Sequence, residues 1–144
     1  QEPPLKLAAL SGFLALIPSL PASELGELAA DCVREFDQFR APADAAELAK
    51  RRQHGLTARQ DELLQQWGYP YVMEEFRFHM TVTARLEAAE RITLINALQP
   101  MLAGICRRPL RIDAVALFEQ PNRNAPFRLV RRYALAGSSA RLSA

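Results

Sequence analysis

Residues 76–83 alternate apolar and polar side chains without a break: Phe76, Phe78, Met80 and Val82 against Arg77, His79, Thr81 and Thr83. A β-strand sends successive side chains to opposite faces, so this pattern predicts a strand with one apolar face and one polar face. Two shorter apolar runs, 5–10 and 13–17, flank Ser11-Gly12 and read as a tight hairpin or one strand bulged at the glycine, ended by Pro18 and Pro21. Leu25, Leu28, Ala29, Cys32, Val33 and Phe36 recur at helical spacing and predict a helix over 22–39, stopped by Ala41-Pro42. Residues 43–67 are polar and predict two short helices, an insertion on the edge of the main body. Asp44 caps the first, His54-Gly55 ends it, and Thr57-Ala58-Arg59-Gln60 opens the second as a capping box.

After the alternating strand, residues 87–98 are amphipathic, with Ile92, Ile95, Leu98 and Leu102 as a stripe and Pro100 as a kink or restart. Residues 110–119 read as a strand, 120–126 as a Pro- and Asn-containing loop, and 127–135 as the partner strand. The tail from 137 onward is small and polar and reads as frayed. The order of elements predicts an α+β fold, an antiparallel sheet with helices packed on it.

Composition adds limits. At 144 residues, 49% hydrophobic and 24% charged, the chain has the make-up of a soluble globular domain. No apolar run is long enough to cross a bilayer, and no secretory signal pattern opens the chain, so no membrane partner and a cytoplasmic location are expected. Cys32 and Cys106 lack metal-ligand spacing and read as small buried hydrophobes in a reducing compartment. Charge is uneven: net −4 over residues 1–106 and net +6 over 107–144, where all eight basic residues are arginine. An arginine-rich surface suits anions. Because only Lys6 and Lys50 are lysines, a general preference for arginine explains most of these positions, with one or two left to line a cleft.

The candidate chemistry lies on the polar face of 76–83. His79 and Thr81 are two residues apart, so an imidazole and a hydroxyl share a face. Such a pair can hold a phosphate oxygen and pass a proton. Arg77 and Thr83 extend that face. Tyr71, with Trp67 and Tyr69, precedes the strand and offers rings that stack on a base or pack at the rim. His54 has no hydroxyl two residues on and is assigned no catalytic part. Gly-rich phosphate loops, GxSxG and Cys/His nucleophile arrangements are missing from the sequence. Glu74 and Glu75 are adjacent and would face opposite ways. No metal-ligand cluster is seen.

The stretch Tyr69-Pro70-Tyr71-Val72-Met73-Glu74-Glu75-Phe76-Arg77-Phe78-His79-Met80-Thr81-Val82-Thr83 resembles the second signature of the two-histidine phosphoesterase superfamily, in the branch found with phosphonate-degradation (carbon–phosphorus lyase) operons. Leu10-Ser11-Gly12-Phe13-Leu14-Ala15-Leu16, Phe39-Arg40-Ala41-Pro42, Gly55-Leu56-Thr57-Ala58-Arg59-Gln60 and Ala114-Val115-Ala116-Leu117-Phe118 support it. The resemblance implies two similar α+β lobes around a cleft, each supplying one H-x-[ST] motif. The histidines act as acid and base on a linear or cyclic phosphodiester, with no metal or other cofactor. Carried over, His79 transfers a proton and Thr81 binds phosphate, with Arg77, Thr83 and Tyr71 as candidate substrate contacts. The expected partner is a small phosphoester or nucleotide, with RNA a further possibility.

An earlier H-x-[ST] motif does not occur in the sequence. By that pattern the chain, which begins with Gln, is the C-terminal part of a longer two-lobed domain. It would then be close to inactive alone, and it could self-associate through its exposed half-cleft. The alternative is a non-catalytic module that binds nucleotides, RNA or a protein.

Overall fold

The computed structural model describes residues 3–53, 55–122 and 124–136. Its elements are β1 (Leu5–Leu10), β2 (Phe13–Pro18), α1 (Ser23–Phe36), α2 (Ala45–Arg52), α3 (Ala58–Trp67), β3 (Met80–Thr81), α4 (Ala88–Cys106), β4 (Ala114–Glu119) and β5 (Arg128–Ala134). The α+β class holds, with antiparallel strands throughout. The described residues divide into two compact units, one reaching to Leu110 and one starting at Arg111. None of their helices is long and apolar enough to cross a membrane.

The first unit is built on a three-stranded sheet in the order β1-β2-β3. The alternatives left open at Ser11-Gly12 resolve to a hairpin in which Leu10 pairs with Phe13 and Leu5 with Pro18. Both turn residues have positive φ, 47° at Ser11 and 101° at Gly12, and glycine carries the larger value at little steric cost. β2 is the central strand and is buried on both faces, through Leu14 and Leu16 on one and Ala15 on the other. The helix expected over 22–39 ends at Phe36, and its last residues tighten into a 3-10 turn over Asp37–Phe39. α1 packs on a second 3-10 turn, Met73–Glu75, which leads into the His79 segment.

The caps in the insertion form as expected. Asp44 accepts from the Glu47 N–H at 2.7 Å, and Thr57 and Gln60 close a reciprocal capping box. Gly55 and Gly68 are left-handed, and the Arg40 guanidinium lies against Gly68 and donates to the Gln66 carbonyl. The position of His54 lies outside the described residues. This polar segment does more than decorate an edge, because Leu63 and Leu64 of α3 are fully buried.

α4 continues through Pro100, so the restart that was one of the two alternatives expected there does not occur. It packs mainly on β1. The half-buried stripe is Leu94, Ile95, Leu98 and Leu102, whereas Ile92 of the expected stripe is exposed. Cys32 and Cys106 are half-buried and free.

The second unit is the hairpin of β4 and β5, paired from Ala114–Ala134 to Glu119–Arg128 with an irregularity between Leu117 and Phe118. Three of the late arginines are engaged inside it. Arg128 pairs with Glu119, Arg132 with Asp113, and Arg131 lies over the Tyr133 ring. The anion-facing reading of this stretch therefore does not extend to those three, while Arg123 and Arg141 lie outside the described residues.

Truncating Leu14 to Ala should cost about 2–5 kcal/mol, since it opens a cavity in the central strand. Removing the Thr57 cap with Thr57→Ala should cost about 1 kcal/mol. Urea unfolding of the two variants measures both, and a Leu14→Ala loss no larger than the cap's would contradict a core centred on β2.

Candidate functional site

The polar face of 76–83 sits at the edge of the sheet. The eight-residue strand expected there is shorter in the structure: only Met80 and Thr81 join the ladder, opposite Leu16 and Ala15. Both ends have a local cause. On β2 the backbone groups of Leu14 point toward β3, because Leu14 O accepts from the Val82 N–H at 2.8 Å. Backbone groups alternate along a strand, so Leu16 and Pro18 point the same way. Pro18 has no N–H to give, and the ladder stops before Phe78. At the other end, the Leu14 N–H donates to the Thr83 hydroxyl at 3.0 Å, where regular pairing would use a backbone carbonyl.

Beyond the ladder the alternation still governs exposure at first. Phe76 and Phe78 are half-buried while Arg77 and His79 are exposed. From Met80 to Val82 both faces are exposed, as befits an edge strand with one neighbour.

His79 and Thr81 come to one face, as the spacing predicts. Thr81 pairs with Ala15, which shares a face with Phe13, and the His79 ring meets the Phe13 ring at 5.8 Å between centroids, tilted by 44°. His79 Nδ1 lies 2.8 Å from the Arg77 carbonyl oxygen. A carbonyl only accepts, so Nδ1 carries a hydrogen and Nε2 of the neutral ring keeps its lone pair. The arrangement thus presents an exposed imidazole whose Nε2 has no hydrogen bond among the described residues, two residues from an exposed hydroxyl.

The other candidates fall in three places. Arg77 lines a groove of about 290 Å³ with Leu10, Ile17, Pro18, Phe76 and Phe78 among its walls. Among the described residues its guanidinium is in none of the ion pairs found. Thr83 is half-buried and its hydroxyl is already in use, accepting from Leu14 and donating to the Ala84 carbonyl at 2.8 Å. Tyr71 is exposed and meets Tyr69 edge to face at 5.6 Å, with Arg51 over the Tyr69 ring at 4.9 Å. Phe13 was missed as a site residue because it reads as strand core. The register gives no signal for it, because the pairing of Ala15 with Thr81 and Leu16 with Met80 sets Phe13 level with Thr83 and Ile17 level with His79. Among the described residues, no group of three or more His, Cys, Asp or Glu side chains gathers as a metal site would need.

Glu74 and Glu75, set aside as unable to cooperate, anchor the turn that feeds this segment. Glu74 pairs with Arg59, which also reaches Glu62, and Glu75 accepts from the Gln60 side chain at 2.8 Å. The Arg59 guanidinium, helped by a backbone hydrogen bond, holds the Glu74 carboxyl below its ordinary range.

The family described as "Protein of unknown function (DUF1045)" matches residues 1–128, which include all of these positions. The chain belongs to the DUF1045 family. It is similar to a ribose 1,5-bisphosphate phosphokinase PhnN of Janthinobacterium sp. (strain Marseille), 42% identical over 142 residues, covering 96% of this chain and 31% of that protein. A protein of the same name from Laribacter hongkongensis (strain HLHK9) is 36% identical over 124 residues, 86% of this chain and 28% of its own length. The DUF1045 chain thus spans about a third or less of the curated relatives it matches. No solved structure matches it.

Replacing Arg59 with Ala should raise the Glu74 titration midpoint toward that of a free glutamate. The sign follows from linkage. A depressed folded pKa contributes stability above the unfolded value and loses it as pH falls through the folded one, so the variant should lack that acid-side loss. Carboxyl-carbon NMR reads the midpoint, and an unmoved value would mean that the pair does not act on Glu74.

Proposed function

We propose that this chain carries half of the active site of a metal-independent phosphodiesterase acting on a cyclic or linear phosphoester. The observation that supports this best is the His79 imidazole, exposed at a sheet edge with its Nδ1 engaged by the Arg77 carbonyl, two residues from the exposed Thr81. Nε2 is the atom that would take a proton from an attacking water or hydroxyl. In the two-histidine scheme that the motif resembles, a second histidine protonates the leaving oxygen as the P–O bond breaks, so one cyclic diester and one water give one monoester. Thr81 would donate to a phosphate oxygen, and Arg77 would add charge through its guanidinium. Tyr71 would meet the sugar or base.

The names of the relatives bear on the substrate. Both are ribose 1,5-bisphosphate phosphokinases, so a ribose phosphate ester is the first compound to test, and a place in phosphonate metabolism agrees with the operon-linked branch that the motif resembles. The phosphokinase activity in that name is not proposed for this chain, since G-x-x-x-x-G-K-[ST] does not occur in its sequence.

A second reading, a non-catalytic nucleotide- or RNA-binding module, is favoured by one observation. Tyr69 and Tyr71 are exposed together with Arg51 beside them, a ring surface with an adjacent cation. Binding that survives His79→Ala would favour that reading.

In a polypeptide carrying both H-x-[ST] motifs, His79→Ala should lower kcat on 2′,3′-cyclic nucleotides or ribose cyclic phosphates by about 10²–10⁴-fold. Thr81→Val should weaken both kcat and KM. The 144-residue chain alone should turn over little. Equal turnover by the His79→Ala protein would sink the phosphodiesterase reading.

A further inference from the structure

We infer that Thr83 and Phe13 are positioning residues for His79: the Thr83 hydroxyl fixes the His79 segment onto β2, and the Phe13 ring gives the imidazole a wall that keeps Nδ1 on the Arg77 carbonyl. The inference concerns the site proposed above and rests on that reading only for its catalytic meaning.

The geometry runs through one residue, Leu14. Its carbonyl accepts from the N–H groups of Val82 at 2.8 Å and Thr83 at 3.3 Å, and its N–H donates to the Thr83 hydroxyl at 3.0 Å. Leu14 is fully buried, so its backbone groups have no water to fall back on. The hydroxyl of Thr83 therefore replaces a ladder carbonyl that the buried strand requires. It then donates to the Ala84 carbonyl, which bends the chain out of the sheet. Just past the bend, the Leu86 N–H donates to the Gly12 carbonyl at 2.8 Å, and the Arg85 side chain covers Gly12. The segment after the motif is thus closed over the hairpin tip.

Phe13 lies between that tip and Leu14. Its backbone lies between the same two attachments, and its ring meets His79. His79 itself lies outside the ladder, because Pro18 ends the pairing before it. With only two β3 residues paired, nothing in regular secondary structure fixes the imidazole. Its orientation rests on the Arg77 carbonyl and the Phe13 ring.

Thr83 was a candidate phosphate-face residue by spacing, yet both its hydrogen-bonding roles are filled by backbone. Its place is behind the reacting groups, where a conservative exchange to Ser keeps the function and the isosteric exchange to Val removes it.

The test is nitrogen-15 NMR of the neutral imidazole, in a chain carrying His54→Gln so that His79 is the sole histidine. The parent should show the Nδ1–H form as the major tautomer. Thr83→Val and Phe13→Leu should each lose that preference and shift toward the mixture of a free imidazole, while Thr83→Ser should retain it. Amide spectra report folding in every sample. If Thr83→Val does not fold, Phe13→Leu decides. A folded Phe13→Leu or Thr83→Val chain with the parent's tautomer ratio overturns the inference. The readout needs no turnover, so it stands or falls apart from the phosphodiesterase reading, which fails separately if a polypeptide carrying both H-x-[ST] motifs turns over equally with and without His79→Ala.

Discussion

The structure around the site depends on the pairing of one buried strand with one edge segment. β2 is covered on both faces, so each of its backbone groups must find a partner within the protein. β1 satisfies one side along its full length. On the other side, among the described residues, the pairing runs from Leu14 to Leu16, with residues 80–83. That short attachment decides where His79 and Thr81 stand, because it sets which face of the edge segment Thr81 shares with Ala15. A slip of one residue would turn both groups to the Leu14 and Leu16 face and present Met80 and Val82 in their place.

Much of this was legible in the sequence, and the reasons differ by element. Caps are local chemistry, so Asp44, Thr57 and Gln60 announce themselves by type and spacing alone. The hairpin at Ser11-Gly12 is likewise local. The shared face of His79 and Thr81 follows from a period of two, which survives even where the ladder is short. The length of β3 was not legible, because it is set by Pro18 and Thr83 acting across the sheet. Periodicity in one segment carries no information about which residues the neighbour can pair. The burial of Leu63 and Leu64 was hidden for another reason. Two adjacent leucines in a charged helix make a weak stripe, and only the tertiary placement of α3 shows that both faces they occupy are covered. Phe13 belonged to a pattern that explains core packing equally well, so its contact with His79 needed coordinates.

The charge asymmetry of the sequence invited an anion-binding reading of the arginine-rich end, and the structure moves the emphasis. Arg128, Arg131 and Arg132 are engaged within the β4–β5 hairpin. The cations that bear on His79 come from the acidic part of the chain. Arg77 precedes it by two residues, and Lys6, paired with Ile17, shares the sheet face of Phe13 and Ala15. Lys6 stands two strands from the edge, about 10 Å at the usual strand spacing. That is roughly a Debye length at physiological salt, so an exposed Lys6 can raise the local concentration of an anion without holding it. Arg77 lines its groove without an ion pair among the described residues, and in the proposed reading its guanidinium, unlike an ammonium held at that distance, would make a directed, bidentate contact with a phosphate. If a phosphoester binds as proposed, charge selection would rest on one guanidinium and the groove it lines, more than on the net charge of the chain.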